Sequence, residues 1–127
     1  LVESPYGTQA AREATRQLLQ AANRPTALIC GNDVLAFGAL LEAAALGVEV
    51  PQALSVVGFD DLDLARQWRP ALTTVHVPTE AMWSLAADYL LQALEGGATE
   101  PVQREIEGEL VVRASTARAP RSRGART

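Results

Sequence analysis

Two short apolar runs, Thr26-Ala27-Leu28-Ile29-Cys30 and Leu54-Ser55-Val56-Val57-Gly58-Phe59, enclose an apolar helical stretch from Val34 to Leu46. Both runs have strand length and carry the Val, Ile and Leu of buried strands. The stretch between them opens after Asn32-Asp33, either of which suits an N-cap, and closes at Gly47, a C-terminal stop. Strand, helix and strand joined by short links form a βαβ unit, whose strands lie parallel in a sheet covered on both faces. This single feature points to an α/β fold, a three-layer arrangement around a parallel sheet.

The rest of the chain extends that unit. Ala11, Ala14, Leu18, Leu19 and Ala22 recur at helical spacing, which predicts a helix over 8–22 ended by Asn23-Arg24-Pro25. The segment from Asp60 to Pro70 reads as an irregular acidic-aromatic connection. Leu72 to Val77 is β-branched and reads as a third strand. Pro78-Thr79 opens a helix in which Met82, Leu85, Ala86, Tyr89, Leu90 and Ala93 share a face, and Gly96-Gly97 stops it. A last strand is expected over Glu107–Val112. At 127 residues the chain has the size of one domain.

Composition narrows the function classes. No apolar run reaches the roughly 18 residues of a membrane span. One cysteine, Cys30, permits neither an internal disulfide framework nor a paired-cysteine metal or redox site. The opening residues Leu1-Val2-Glu3-Ser4-Pro5 lack the basic start and apolar core of a signal peptide and have no initiator Met, so a fragment is expected. Residues 1–117 hold 7 Arg against 15 acids, net −8, while the tail 118–127 adds four Arg. An acidic body repels phosphate backbones, so this chain is not expected to grip DNA or RNA itself. The tail, Arg118, Arg121, Arg123 and Arg126 among small residues, reads as a basic terminus without a fold of its own.

The residues that carry chemistry lie at strand ends. Ligands of parallel α/β sheets bind beyond the carboxyl ends of the strands. Asn32-Asp33 and Asp60-Asp61 both fall there. An amide that donates and accepts, beside a carboxylate that accepts two hydroxyls, suits a polyhydroxylated ligand such as a sugar. From spacing alone, the same residues serve equally as a helix cap and a turn. Catalysis and cofactors find no motif: His76 is the only histidine, Cys30 sits in an apolar strand, and no nucleophile elbow, phosphate loop or dinucleotide fingerprint occurs. Asp60-Asp61-Leu62-Asp63 lacks the Gly and distal Glu of a calcium loop, so no metal is expected.

Several motifs stand in order along the chain: Pro25-Thr26-Ala27, Gly31-Asn32-Asp33, Gly38-Ala39, Gly47, Val50-Pro51, Ser55-Val56-Val57-Gly58-Phe59-Asp60-Asp61, Pro70-x-Leu72-Thr73-Thr74-Val75 and Leu110-Val111-Val112-Arg113-x-Ser115-Thr116. Together, from Tyr6 to Thr116, they resemble the effector-binding domain of LacI/GalR-type transcriptional regulators, a periplasmic-binding-protein-like fold. The resemblance implies that 1–117 is a fragment of the effector-binding and dimerisation domain. Residues 1–61 and 105–117 would belong to the C-terminal lobe, and 72–95 to the N-terminal lobe. It implies an effector site in which Tyr6 stacks on the ligand while Asn32 and Asp60 bind it, and a dimer contact at Phe37, Gly38, Leu41 and Trp68. Val77 departs from a polar position of the family, and Trp83 from a small one.

The function implied is that of a cytoplasmic, dimeric regulator that senses a sugar or related metabolite. Such a protein makes no bond and needs no cofactor. Operator DNA would be met through a helix-turn-helix headpiece that no stretch of this chain resembles. Two other classes stay open from the residues: an extracytoplasmic sugar-binding protein of a transporter, and an α/β enzyme using Asp60 with a metal. The dimer expectation also has a physical basis. The helix from Val34 to Leu46 carries one charge, Glu42, and is apolar beyond the stripe that covers a sheet.

Overall fold

A computed structural model describes residues 1–97, 101 and 103–119; the expected basic tail, with Arg121, Arg123 and Arg126, lies mostly outside them. Its elements run α1 (Thr8–Gln20), β1 (Ala27–Ile29), α2 (Asp33–Ala45), β2 (Ser55–Asp60), α3 (Asp63–Gln67), β3 (Thr73–His76), α4 (Thr79–Leu94) and β4 (Glu109–Val111). The four strands form one sheet in the order β1-β2-β3-β4. β1, β2 and β3 are parallel, and β4 returns antiparallel to β3. The mixed α/β class and the parallel-dominated sheet match the sequence reading. The connection from Asp60 to Pro70 is more ordered than expected, because it contains the short helix α3.

Alternation along β2 sets the core. Val56 and Gly58 are buried on the side facing α2, while Val57 is half-buried and Phe59 is 42% exposed on the other. Leu54, Val56, Leu72, Ala36, Phe37, Leu40, Ala43 and Leu19 form one cluster between sheet and helices. β1 departs from the expectation of a strand buried on both faces. It lies at the sheet edge, and Ile29 is 87% exposed.

The apolar surplus of α2 finds its partner inside the chain. α1 packs along α2, with Ala11, Thr15 and Leu19 buried between them. Gly38 lets the two helices approach, since a Cβ there would meet the Thr8 carbonyl and Ala11 Cβ. Phe37 is buried and stacks on Trp68, ring centroids 4.8 Å apart. Glu42, the one charge past the first residue of this helix, is 1% exposed and accepts hydrogen bonds from Arg12 Nε at 3.0 Å and Arg16 Nε at 2.7 Å, both on α1. The premise that the surplus requires a second molecule therefore does not hold for Phe37 and Gly38. Leu41, 41% exposed, and half-buried Trp68 keep surface for one.

β3 belongs to the sheet of β1 and β2, and α4 leaves it. None of the α4 residues is buried, although Met82, Trp83, Leu85, Leu90, Leu91 and Leu94 are large and apolar. No helix of the described residues is long and apolar enough to cross a membrane.

Candidate functional site

Parallel pairing brings the two expected polar groups to one end of the sheet. Ile29 is in register with Val57, so Asn32, three residues past the end of β1, and Asp60, the last residue of β2, each stand three positions beyond a paired residue at the same end of the sheet. Cys30 N–H still bonds the Val57 carbonyl at 2.8 Å, which carries the pairing past the end of β1.

The alternatives that the spacing left open resolve into a division of labour. Asn32 is the N-cap of α2: its Oδ1 accepts from Leu35 N–H at 2.9 Å. Its Nδ2 meets no hydrogen-bond partner among the described residues and keeps its donors. Asp33 is no solvent-facing cap. It is fully buried, where Oδ1 accepts from Thr74 Oγ1 at 2.6 Å and Oδ2 from Leu62 N–H at 2.8 Å. This carboxylate ties α2 to β3 and to the chain after β2. Gly58 makes room for it, since a Cβ there would collide with Asp33 Oδ1.

Asp60 and Asp61 end β2 with φ 115° and 56°. Left-handed backbone is unusual for non-glycine residues and costs on the order of 1–3 kcal/mol per residue, so neighbouring contacts must hold it. Asp61 supplies one such contact. Its carboxylate accepts from Arg113 Nη2 at 2.6 Å and faces His76 Nδ1 at 3.2 Å. Arg113 is itself fixed, since Nη1 donates to the Leu72 carbonyl at 2.9 Å and its backbone N–H to Thr73 Oγ1 at 2.9 Å. Burial pushes the Asp61 carboxyl up, but the hydrogen bond and charge of Arg113, then those of His76, outweigh it and leave it below the ordinary value. Asp60 moves the other way. Burial and then the charge of Asp33 raise it, and it has no hydrogen-bond partner among the described residues. A half-buried carboxylate without a partner among the described residues, at the same end of the sheet as an amide with free donors, has the chemistry to accept hydroxyl groups.

A cavity of about 510 Å³ opens next to this end of the sheet, walled by His76, Val77, Pro78, Thr79, Glu80 and Ser84. His76 is the register partner of Asp60 on β3, so the cavity begins one strand away from Asp60. A second cavity of about 310 Å³ lies between α1, β1 and the N-terminal segment, lined by Leu18, Leu28 and Cys30 among others. Cys30 is half-buried there, and burial, then Asp33, pushes its thiol up to about 11.

Tyr6 is 76% exposed, and none of Tyr6, Asn32 and Asp60 is among the residues lining either cavity. His76 and Arg113 escaped the sequence reading as parts of this region. Arg113 stood in a quoted motif, but its partner Asp61 lies 52 residues away, a separation that a single sequence does not bridge. Among the described residues no group of three or more His, Cys, Asp or Glu is placed to hold a metal ion.

Comparison with known proteins gives a consistent result. The periplasmic binding protein-like domain family matches residues 2–116. The transcriptional repressor PurR of Escherichia fergusonii, of the helix-turn-helix type, is 37% identical over 120 residues, covering 94% of this chain and 35% of the repressor. The chain thus spans about a third of the length of the curated relatives it matches. Among solved structures, the transcriptional regulator CelR in complex with cellobiose is 34% identical with a TM-score of 0.83, over 88% of this chain and 34% of CelR. A LacI family regulator from Enterococcus faecium with bound ribose is 27% identical with a TM-score of 0.83, over 92% of this chain and 43% of that one. These relatives are transcriptional regulators and not enzymes.

Proposed function

The chain belongs to the periplasmic binding protein-like domain family, and from that membership we propose that it is the effector-sensing and dimerisation region of a LacI-type transcriptional regulator. The effector is a sugar-like small molecule. The observation that carries this reading is the pair Asn32 and Asp60, each three positions beyond the Ile29–Val57 register pair of adjacent parallel strands, with donors and a carboxylate unspent. Sugars bound to CelR and to the Enterococcus faecium regulator support the ligand class.

In this reading α4 and the residues around it belong to a second lobe, which accounts for a helix rich in Leu, with Trp83, and no buried residue. The effector binds between lobes and favours one relative angle. That angle sets the spacing of two DNA-binding headpieces in a cytoplasmic dimer, so operator affinity follows effector occupancy. Leu41, Leu62 and Leu64, each about 40% exposed or more, with the open side of Trp68, supply the dimer contact near α2 and α3. Tyr6, exposed just before α1, flanks the ligand in this reading.

The test is a thermal-shift screen of the full-length protein against neutral mono- and disaccharides, ribose and cellobiose included. A ligand present at about 100 times its dissociation constant contributes about 2.7 kcal/mol, a shift of several degrees. One sugar should produce it, and Asp60→Ala, which removes no hydrogen bond among the described residues, should abolish it while leaving the unliganded protein folded. A screen in which no sugar shifts the wild-type protein contradicts the reading.

A further inference from the structure

The carboxylate of Asp60 is presented by backbone in a conformation that its own side chain does nothing to hold. It sits at φ 115°, followed by Asp61 at φ 56°, and it makes no hydrogen bond among the described residues. The hold comes from the next two residues. Leu62 N–H is fixed by the buried Asp33, and the Asp61 carboxylate is fixed by Arg113 at 2.6 Å. Asp33 is a rigid part of the core. Arg113 arrives from the last described strand, β4, and its fork is divided between Asp61 and the Leu72 carbonyl.

From this geometry we propose that Arg113 is a positioning residue for effector binding: through Asp61 it locks the left-handed turn that aims Asp60 into the site. The proposal rests on Asp60 being the effector-binding carboxylate. Arg113 touches no ligand in this arrangement. A planar fork satisfies two acceptors at once and fixes direction as well as charge, which a lysine does not. The arrangement also makes the site depend on the return of the chain after α4, so a change in that crossover reaches the effector through Arg113 and Asp61. The other ionisable groups facing this turn are His76 from β3, which bonds Asp61, and Asp33 from α2. Glu109 on β4 is the register partner of His76 on its far side.

The pH titration of the Asp60 side chain distinguishes positioning from simple charge. Removing a neighbouring cation raises a carboxyl midpoint. Releasing the turn instead frees Asp60 from burial and from Asp33, and lowers it. The experiment is carbon-detected NMR of aspartate side chains in the full-length protein, without any effector, for wild type, Arg113→Gln, Arg113→Lys and Asp61→Asn. The expected result is a fall of the Asp60 midpoint toward the ordinary aspartate range in Arg113→Gln, where charge and positioning predict opposite signs, with partial restoration in Arg113→Lys; Asp61→Asn, which removes an anion as well as the lock, reports on the fold. A midpoint that stays raised or climbs further overturns the proposal. So does loss of the folded state in both Arg113→Gln and Asp61→Asn, which assigns the pair to the core. Because no sugar is added, failure of the sugar screen leaves this readout intact, and the two claims fall separately.

Discussion

Thr74 Oγ1 donates a 2.6 Å hydrogen bond to Asp33 Oδ1 across 41 positions of sequence, and both side chains are sealed from solvent. The bond joins the start of α2 to the centre of β3, so it sets the angle at which the helix carrying Asn32 meets the sheet. Removing the donor leaves a buried carboxylate short of a partner. Thr74→Val should therefore cost about 1–3 kcal/mol in urea unfolding, since hydrogen bonds to charged groups lie in that range.

Gly58 tests the same contact from the other side. An added methyl would press on Asp33 Oδ1 and on Leu72 Cδ2, 2.9 Å away, neither of which can withdraw. Overpacking of this kind costs about 1–3 kcal/mol or more. Gly58→Ala should lower stability by that amount, read by chemical unfolding, whereas an alanine at Gly31, whose nearest neighbour would be 4.0 Å away, should be tolerated far better.

How much of this was legible follows from range. The βαβ unit, the ends of α2 and the strand-end positions of Asn32 and Asp60 were readable because each depends on neighbours in sequence: apolar runs, a capping amide, a glycine stop. Contacts between distant segments were not. The α2 surplus looked like a surface for another molecule because nothing local announces that α1 will cover it through Gly38, or that Arg12 and Arg16 will meet Glu42. Asp33 looked like a cap because its partners, Leu62 and Thr74, lie 29 and 41 positions away. The helix α3 escaped because its five residues are too few for periodicity to show.

Acid sensitivity should concentrate at the junction of α1 and α2. The hydrogen bond from Arg16 holds the Glu42 carboxyl below its ordinary value against burial, with Arg12 assisting. A carboxylate depressed in the folded state contributes stability above its unfolded value, and that contribution is lost as pH falls through the folded one. Stability should therefore drop on the acid side of the ordinary glutamate range. Glu42→Gln should flatten that limb of the pH–stability curve while leaving the two arginines without their counter-charge at neutral pH.

Asp60 should show the opposite sign. Its carboxyl is raised by burial and by Asp33, so its ionisation works against the fold, and its contribution fades as pH rises through the folded value. Asp60→Asn removes that opposition. The variant should melt higher than wild type at neutral pH in the absence of effector, measured by circular dichroism, which is the usual relation between a binding group and the stability it costs. A lower melting temperature would mean that Asp60 has a structural role.

The central claim is that Asn32 and Asp60 form one effector site, and calorimetry measures it most directly. Full-length wild type, Asp60→Ala and Asn32→Ala are titrated with the sugar that gives the largest thermal shift in the screen. Loss of a hydrogen bond to a charged group weakens binding by about 1.5–3 kcal/mol, roughly ten- to a hundredfold. The account predicts that Asp60→Ala loses affinity by that factor with its circular dichroism unchanged, that Asn32→Ala also weakens binding, and that the double variant loses less than the sum because both groups face one ligand. Unchanged affinity in Asp60→Ala would contradict it.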